Sequence, residues 1–252
     1  CSTIRSCPRS GRSARVPRRK ELAVTFCRRS RDTLHDCLQM IGDGRLDMLI
    51  AQNVPRVQGD AFDHISALTA VTPDGAVLWQ SGRPHRQNAL LTNDTPFQIH
   101  DLDGDGRNEV VLIRDFKLQV LDGRTGKAQR AGDMPPIPET ARARPYELYS
   151  GDSIIFANLG GGEGRRDIVI KDRYRHFWAF RRDLTPLWQG ADDTGHYPFP
   201  FDADGDGRDD VFIGHARYDD RGQRLWSHEG KLQDHVDALA VGNFTGDPKA
   251  RP

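Results

Sequence analysis

The sequence has no long apolar run, and none of its segments approaches the ~18 to 20 consecutive apolar residues that a membrane-spanning helix requires. The first thirty residues also lack the apolar core of a secretory signal peptide. Cysteine is absent after Cys37, and the spacing of the cysteines before it matches no zinc-binding pattern. No G-x-S-x-G motif is present, which disfavours a serine hydrolase. These absences predict a chain without a membrane span or a structural zinc site.

Charge is unevenly distributed along the 252 residues, although the formal net charge is zero. Residues 1–31 contain ten lysines and arginines and one acid, Glu21, whereas the rest of the chain contains 26 basic and 35 acidic residues. Residues 1–35 are therefore interpreted as a basic leader that is disordered or foreign to the fold, with a nucleic-acid arm or a targeting peptide as alternatives. The acidic body, residues 36–252, argues against nucleic acid as a partner.

A motif of alternating acids and glycines recurs along the body of the chain. Its fullest copies are DLDGDGRNE, which begins at Asp101, and DADGDGRDD, which begins at Asp202. Weaker copies begin at Gln39, Asn158 and Asn243, so that successive copies are 62, 57, 44 and 41 residues apart. An interval of ~40 to 50 residues, lengthened in places by insertions, is typical of the blades of a β-propeller.

Segments typical of β-strands follow each acidic copy. Short β-branched runs such as EVVLIR and DVFI come first, and a second apolar segment and a hairpin turn follow. Asp74-Gly75, Asp122-Gly123 and Arg221-Gly222 are predicted to supply the positive φ angles of these turns. The pattern predicts an all-β fold, a partial β-propeller of about four to five four-stranded blades, because small sheets bury their apolar faces only by stacking. Closed propellers commonly have more blades, so a fragment of a larger propeller is expected.

Three of the hairpins end in Leu-Trp, at Trp79, Trp188 and Trp226, whereas the second hairpin carries Ala128-Gln129 at that place. An aromatic side chain at one fixed place in each unit is typical of packing between neighbouring sheets. These tryptophans are therefore predicted to be structural and not to bind a ligand.

The two full acidic loops match the needs of calcium, which binds roughly six to eight oxygen atoms. The first loop offers four carboxylates and one backbone carbonyl, from Asp101, Asp103, Asp105, Glu109 and Arg107. The second offers the same set at the same spacing, from Asp202, Asp204, Asp206, Asp210 and Arg208. Ca²⁺ is therefore the predicted cofactor, with the role of stabilising the start of a blade. A bare turn is the alternative, and it is preferred for the three weaker copies.

With these loops at blade spacing, residues 39–252 resemble the calcium-binding propeller repeats of the FG-GAP and VCBS type. Three segments, DIVIKDRYRHFWAF, DTGHYPFPFDADGDGRDD and RLWSHEGKLQDHVDALAVGNFTGDP, are similar to secreted propellers of pectin breakdown, particularly rhamnogalacturonan lyases. The resemblance implies an extracellular or periplasmic monomer that acts on polysaccharide or cell-surface glycan by calcium-assisted β-elimination. A non-catalytic propeller that binds glycan or protein in adhesion is the alternative.

A lyase that acts on a uronic acid needs a base, a proton donor and a group that neutralises the carboxylate. Loops that precede the acidic motifs are expected to share one face of the propeller, and residues in them or at a nearby strand end are candidates: His196, His235, Lys171, Arg173 and Tyr197. The histidines are candidates for proton transfer, the tyrosine for stacking or proton donation, and Lys171 or Arg173 for binding a carboxylate. Surface hydrogen bonding, packing and solvated charge are the plain alternatives. The enzyme hypothesis predicts that the histidines and one of these cations converge on one face.

Overall fold

The computed structural model describes residues 46–55, 63–84, 95–138, 147–233 and 236–246, together with the short strand at residues 23–24. Within these ranges the chain forms sixteen β-strands, which assemble into four antiparallel sheets of four strands each. Every sheet keeps its strands in chain order, so each is an up-and-down unit. Among the described residues, no helix has the length and apolar character needed to cross a membrane. The predicted all-β architecture of four-stranded blades is confirmed.

The first two sheets come from the N-terminal part of the described chain. The strands of the first sheet are β1 (Ala23–Val24), β2 (Met48–Pro55), β3 (Asp63–Val71) and β4 (Val77–Gly82). The strands of the second sheet are β5 (Phe97–His100), β6 (Glu109–Arg114), β7 (Lys117–Asp122) and β8 (Ala128–Asp133). Strand β1, which lies inside the segment interpreted as a leader, pairs with β2.

The third and fourth sheets repeat the same plan. The strands of the third sheet are β9 (Ser153–Ala157), β10 (Asp167–Lys171), β11 (His176–Phe180) and β12 (Pro186–Ala191). The strands of the fourth sheet are β13 (Phe199–Phe201), β14 (Asp210–Ile213), β15 (Ala216–Tyr218) and β16 (Arg224–Ser227). Strand β9 contacts both β5 and β13, so the first strands of consecutive blades are neighbours, as around the axis of a propeller.

Both faces of the middle strands are buried, because their side chains alternate between two neighbouring sheets. In β6, Val110 and Leu112 pack into the core shared with the first sheet, whereas Val111 and Ile113 pack into the core shared with the third. Strand β10 alternates in the same way, and Val169 faces the fourth sheet. Each fully buried aliphatic side chain contributes ~1.5–3 kcal/mol relative to exposure. Burial on both faces explains why these strands are continuous apolar runs.

Three of the four hairpin turns between third and fourth strands place a glycine at positive φ, whereas the third sheet places Leu184 there (φ 71°). Gly75 (φ 89°) and Gly222 (φ 78°) do so as predicted. The prediction for Gly123 was wrong, because Gly126 (φ 66°) takes the left-handed conformation in the second sheet. That turn is longer than expected. The carbonyl oxygen of Asp122 accepts a hydrogen bond from the N–H of Gly126 at 2.8 Å, and the N–H of Asp122 donates to the carbonyl oxygen of Lys127 at 2.9 Å, which moves the reversal downstream.

The predicted packing role of the tryptophans is confirmed for two of the three. Trp79 is 8% exposed and lies against the turn of the second sheet, and Trp188 lies against the equivalent turn of the fourth sheet. Trp226 is 42% exposed and contacts Phe212 and His228 of its own sheet region. In both of these contacts, a tryptophan of the fourth strand in one sheet donates a hydrogen bond to the hairpin turn of the next sheet.

The up-and-down course of the strands separates two kinds of connection. Loops 101–108, 158–166 and 202–209 join first strands to second strands at one end of the sheets, which we call the acidic end. Connections from second to third strands, and from each sheet to the next, lie at the other end, which we call the opposite end. At the acidic end, loops of neighbouring sheets contact one another through Asn158 and Gly207. At the opposite end, the connections that precede and follow the fourth sheet contact one another through His196 and Val236.

Candidate functional site

The first acidic loop folds around its own carboxylates. Asp101 accepts hydrogen bonds from the backbone N–H groups of Gly104 and Gly106, at 2.7 and 2.9 Å. These glycines have φ of 79° and 84°, a conformation that other residues rarely adopt, so the motif needs glycine at both places. Carboxylate oxygen atoms of Asp101, Asp103 and Glu109 lie within 4.8 Å of one another. The loop therefore brings three of its acids together.

The second acidic loop has the same backbone. Asp202 accepts hydrogen bonds from Gly205 and Gly207, at 2.6 and 3.1 Å. Carboxylate oxygen atoms of Asp202, Asp204 and Asp206 lie within 4.8 Å of one another. Oxygen atoms grouped in this way are the ligands that a hard cation such as Ca²⁺ prefers, so the residues fit the predicted ion.

The remaining predicted carboxylate of each loop is engaged by an arginine. In the first loop this is Asp105, whose Oδ2 accepts a hydrogen bond from Nε of Arg107 at 2.9 Å. In the second loop it is Asp210, whose Oδ2 accepts one from Nη2 of Arg217 at 2.8 Å. The sequence predicted four converging carboxylates in each loop, and the structure groups three. The backbone carbonyls of Arg107 and Arg208 stay predicted ligands.

The first loop concentrates negative charge that its surroundings only partly offset. Glu109 is 4% exposed, and burial raises its pKa to about 7, with the neighbouring aspartates adding to the rise and the N–H of Leu102 opposing it. The guanidinium of Arg166 lies against Gly104, where a Cβ atom would be 1.9 Å from its Nη2. A divalent cation would remove the remaining repulsion and favour the ionised form of every acid in the cluster.

The weaker copy at Asn158 closes by amide hydrogen bonds. Nδ2 of Asn158 donates to the carbonyl oxygen atoms of Gly162 and Gly207, at 3.0 and 2.9 Å. Asp167, which corresponds to Glu109 of the first loop, accepts hydrogen bonds from two backbone N–H groups of its own loop. These contacts are those of a hydrogen-bonded turn that also joins two blades. The start of the copy at Gln39 lies outside the described residues.

His196 lies at the opposite end, in the connection between the third and fourth sheets. Its Nε2 atom is 3.4 Å from the hydroxyl of Tyr174 and 3.5 Å from a carboxylate oxygen of Asp237. Its side chain is 23% exposed, so solvent and ligands reach it. Tyr197 beside it is 47% exposed, and the two rings are 6.3 Å apart. His235, the other histidine candidate, lies outside the described residues.

The two predicted cations differ sharply in exposure. Lys171 is fully buried, and its Nζ atom binds Asp152 at 2.6 Å and the carbonyl oxygen of Asp172 at 3.1 Å. A buried lysine with an aspartate partner is held in the protein, which favours a structural role over contact with a substrate. Arg173 is 17% exposed, its Nη2 donates to the hydroxyl of Tyr174 at 3.2 Å, and its Nη1 lies 4.0 Å from Oδ1 of Asp152. Arg173 is therefore the better placed of the two to meet a carboxylate.

A hydrogen-bonded series that sequence reasoning missed lies beside these residues. His176 and Asp172 contact through Nδ1 and Oδ2 at 2.7 Å, and Nε2 of His176 is 3.4 Å from the hydroxyl of Tyr149. Because a carboxylate only accepts, Nδ1 carries a proton, and a neutral imidazole then accepts from Tyr149 through Nε2. Burial and the charge of Asp172 raise the pKa of Tyr149. The series can pass a proton to or from the phenol.

Turn 172–175 joins this series to His196. Oδ1 of Asp172 accepts hydrogen bonds from the N–H groups of Arg175 and His176, at 2.9 and 2.6 Å, and so closes the turn. Tyr174 has φ of 75°, which is uncommon for a residue other than glycine and directs its ring toward His196. Arg173 and His196 both contact the hydroxyl of Tyr174, at 3.2 and 3.4 Å, whereas convergence of the whole predicted set stays a prediction. The spacing of Asp172 and His176 across a tight turn was the available signal for the missed series.

Comparisons with known proteins found a relative in sequence and several solved structures with a similar fold. No protein-family model matches the chain. Rhamnogalacturonan exolyase YesX of Bacillus subtilis (strain 168) is 24% identical over 263 residues, which cover 83% of this chain and 41% of that protein. Rhamnogalacturonan lyase PL11 of Bacillus licheniformis has a similar structure, with a TM-score of 0.57 and 22% identity over 75% of this chain and 40% of that one.

A second solved structure, rhamnogalacturonan lyase YesW, is similar with a TM-score of 0.54 and 21% identity, again over 75% of this chain and 40% of that one. Likeness at this level of identity shows a common fold. The chain spans about two fifths of the length of these relatives.

Proposed function

We propose that this propeller is carbohydrate-active and cleaves rhamnogalacturonan-type pectic polysaccharide by β-elimination at a uronate. The observation that carries the proposal is turn 172–175, which connects Tyr149, His176 and His196 with the arginine at position 173. These are the kinds of group that the reaction needs: two proton-transfer side chains and a cation for the carboxylate. Similarity to the rhamnogalacturonan exolyase supports the substrate class. An extracellular or periplasmic location follows from that substrate.

Each group has a role in the proposed reaction. A base removes the proton from the carbon next to the uronate carboxylate, the C4=C5 double bond forms, the C4–O4 bond breaks, and O4 takes up a proton. His196 is assigned to the first proton, since a neutral imidazole accepts one through Nε2. Tyr149 is assigned to O4, because its raised pKa keeps the phenol protonated at neutral pH. Arg173 binds the carboxylate and stabilises the charge that develops on it.

Calcium is proposed to bind in both acidic loops, in the manner of FG-GAP and VCBS repeats, and to stabilise the blades. The acidic loops lie at the acidic end, whereas turn 172–175 lies at the opposite end of the same sheets. Calcium in these loops therefore assists by holding the propeller together, and neutralisation of the uronate is assigned to Arg173. When bound, the ion supplies positive charge to carboxylates that otherwise repel one another.

The proposal is tested by mixing the protein with rhamnogalacturonan and recording the ultraviolet absorbance of the double bond conjugated with the carboxylate. Absorbance is expected to rise with time. Tyr149→Phe and His196→Gln are expected to lower kcat by a factor on the order of 10² while the melting temperature stays close to that of the parent. His228→Gln is the matched control, since this exposed histidine also lies at the opposite end but contacts Trp226.

Two results would contradict the enzyme proposal. One is that no double-bond absorbance develops although the protein binds the polysaccharide, which would favour the non-catalytic glycan-binding alternative. The other is activity that persists unchanged in both Tyr149→Phe and His196→Gln.

A further inference from the structure

A groove of about 410 Å³ lies between the first and second sheets, away from turn 172–175. Strands β3 and β4 form one wall, and the hairpin between β6 and β7 forms the other. Its lining includes one apolar side chain, two arginines and several small or polar groups, namely Ile65, Ser66, Gly82, Arg83, Arg114 and Gln119. The groove opens at the opposite end, the same end that carries the proposed lyase residues.

Arg114 is partly buried in this groove and is held by neutral partners. Its Nη1 donates to Oγ of Ser81 at 3.2 Å, and its Nη2 donates to Oε1 of Gln119 at 3.2 Å. Two other partly buried arginines, Arg165 and Arg217, each bind an aspartate instead, at 2.7 and 2.8 Å. Two bonds to neutral oxygen atoms use only part of the donor capacity of a guanidinium, which has five N–H groups. Among the described residues, the hydrogen-bond partners of the Arg114 guanidinium are thus neutral side chains and not carboxylates.

Gly82 keeps this guanidinium within reach of the groove. Its φ is 85°, and a Cβ atom there would be 3.1 Å from Nη1 of Arg114 and 2.3 Å from the carbonyl oxygen of Ser66. A larger residue would therefore press on both groups. The same carbonyl of Ser66 accepts the N–H of Arg83 at 2.9 Å, which holds the exposed Arg83 at the rim. Two arginines thus line one small space.

One acid also borders the groove. Asp115 follows Arg114 in a turn where it and Phe116 have φ of 53° and 58°, and its N–H donates to Nδ1 of His64 at 3.1 Å. Burial lowers the pKa of Arg114, and the carboxylate of Asp115 opposes that effect without overcoming it. Among the lining residues that the structure describes, one acid stands against two arginines, and this positive balance favours an anionic ligand.

We infer that this groove binds the carboxylate group of an acidic sugar, with Arg114 as the main contact and Arg83 as a second cation at the rim. A planar guanidinium pairs with a carboxylate through two parallel hydrogen bonds, and Ile65 offers an apolar surface to the C–H groups of a sugar ring. The choice of a sugar acid rests on the proposed function, whereas the anion site itself rests on the geometry of the groove. A polysaccharide with repeated uronates presents several such carboxylates.

Isothermal titration calorimetry of the full chain with galacturonate oligosaccharides tests this inference, with the same calcium concentration in every titration so that the acidic loops are in the same state throughout. The parent protein is expected to bind the oligosaccharide and to bind its methyl-esterified form much more weakly. Arg114→Gln is expected to weaken binding about tenfold or more, because a hydrogen-bonded charge pair is lost. Arg124→Gln, an exposed arginine in the turn at the acidic end, is the matched control and is expected to bind as the parent does.

Three results would overturn the inference: no binding by the parent, equal binding of the methyl ester, or unchanged affinity in a folded Arg114→Gln variant. Where that variant does not fold, Arg83→Gln replaces it, since this exposed side chain is expected to contribute about threefold to affinity, and an unchanged value contradicts the site. Calorimetry measures binding of the oligosaccharide whether or not the protein cleaves it. Binding that depends on Arg114, without any double-bond absorbance, would support the anion site in the groove and contradict the lyase activity. Double-bond absorbance without this binding would support the lyase activity and contradict the anion site.

Discussion

The indole Nε1 of Trp79 donates a hydrogen bond to the carbonyl oxygen of Gly123, 2.8 Å away in the next sheet and 44 residues along the chain. The contact recurs two sheets later, where Nε1 of Trp188 donates to the carbonyl oxygen of Asp220 at 2.9 Å. In the first case the ring lies on Gly126, where a Cβ atom would be 2.5 Å away. The same tryptophan therefore joins blades by packing and by a hydrogen bond.

Trp79→Phe is expected to destabilise the protein by ~1–3 kcal/mol, because the carbonyl of Gly123 loses its donor and the smaller ring fills less of the interface. Urea unfolding measures the change. Trp226→Phe is the matched control, since this side chain is 42% exposed, and it is expected to stay within ~0.5 kcal/mol of the parent. An equal loss of unfolding free energy in the two variants would show that the contact of Trp79 with the next sheet does not contribute specifically to stability.

Calcium is expected to raise the melting temperature of protein first stripped of metal by a chelator. Binding to the folded state alone contributes ~2.7 kcal/mol when the ion is at one hundred times its dissociation constant. Asp103→Asn and Asp206→Asn are expected to reduce the calcium-induced rise, since both carboxylates belong to the grouped sets. If calcium does not change the melting temperature of the parent protein, the proposed metal sites are wrong.

The carboxylates paired with arginine provide the controls for that titration. Asp105→Asn and Asp210→Asn are expected to keep most of the calcium-induced rise, because these side chains bind Arg107 and Arg217. Asp210→Asn also loses a buried partner of Arg217, so its melting temperature without calcium is expected to fall. If the calcium-induced rise in melting temperature is lost in these two variants as fully as in Asp103→Asn and Asp206→Asn, the four-carboxylate shell expected from the sequence is the better description.

Alkaline pH is expected to destabilise the protein through Tyr218. Burial, reinforced by its hydrogen bond to Asp192 at 2.9 Å, raises the pKa of this phenol above its ordinary value of 10.0. The unfolded chain therefore releases the proton at a lower pH than the folded chain, and stability is present below pH ~10 and falls as pH rises above it. Unfolding measured across this range is expected to show a shallower fall in Tyr218→Phe. Tyr197→Phe, at an exposed position, is expected to leave the slope unchanged.

Asp172→Asn separates the proposed proton relay from the structure of its turn. An asparagine retains an oxygen for the N–H groups of Arg175 and His176, but it removes the carboxylate that faces Nδ1 of His176. We expect kcat to fall by a factor on the order of 10² while KM and the melting temperature change little. A proportional rise in KM with unchanged kcat would assign Asp172 to substrate binding instead.

The sequence was sufficient to predict the blades, because strands buried on two faces carry continuous apolar runs and the acidic motif marks where each begins. It was also sufficient to predict that the acids of each motif group together, since glycine spacing determines the backbone of the loop. It could not predict that Asp210 turns to Arg217, because that pairing depends on how β14 and β15 align side by side.

The candidate site was less predictable for a similar reason. Tyr149 and His176 are separated by 27 residues and belong to different connections, so no local pattern announces their contact. The exclusion of Lys171 from the surface likewise depends on Asp152, which arrives from the chain preceding β9. Local motifs therefore revealed the loops, whereas contacts between connections required the folded chain.

Strand β10 has five residues and separates an acidic-end loop from turn 172–175. At ~3.3 Å per residue this is a distance of about 16 Å, roughly twice the ~8 Å over which physiological salt screens exposed charge. An ion at the acidic end thus has little direct electrostatic effect on chemistry at the other end. Calcium concentration is expected to determine how long each molecule stays folded, whereas the rate of each catalytic cycle is expected to change little.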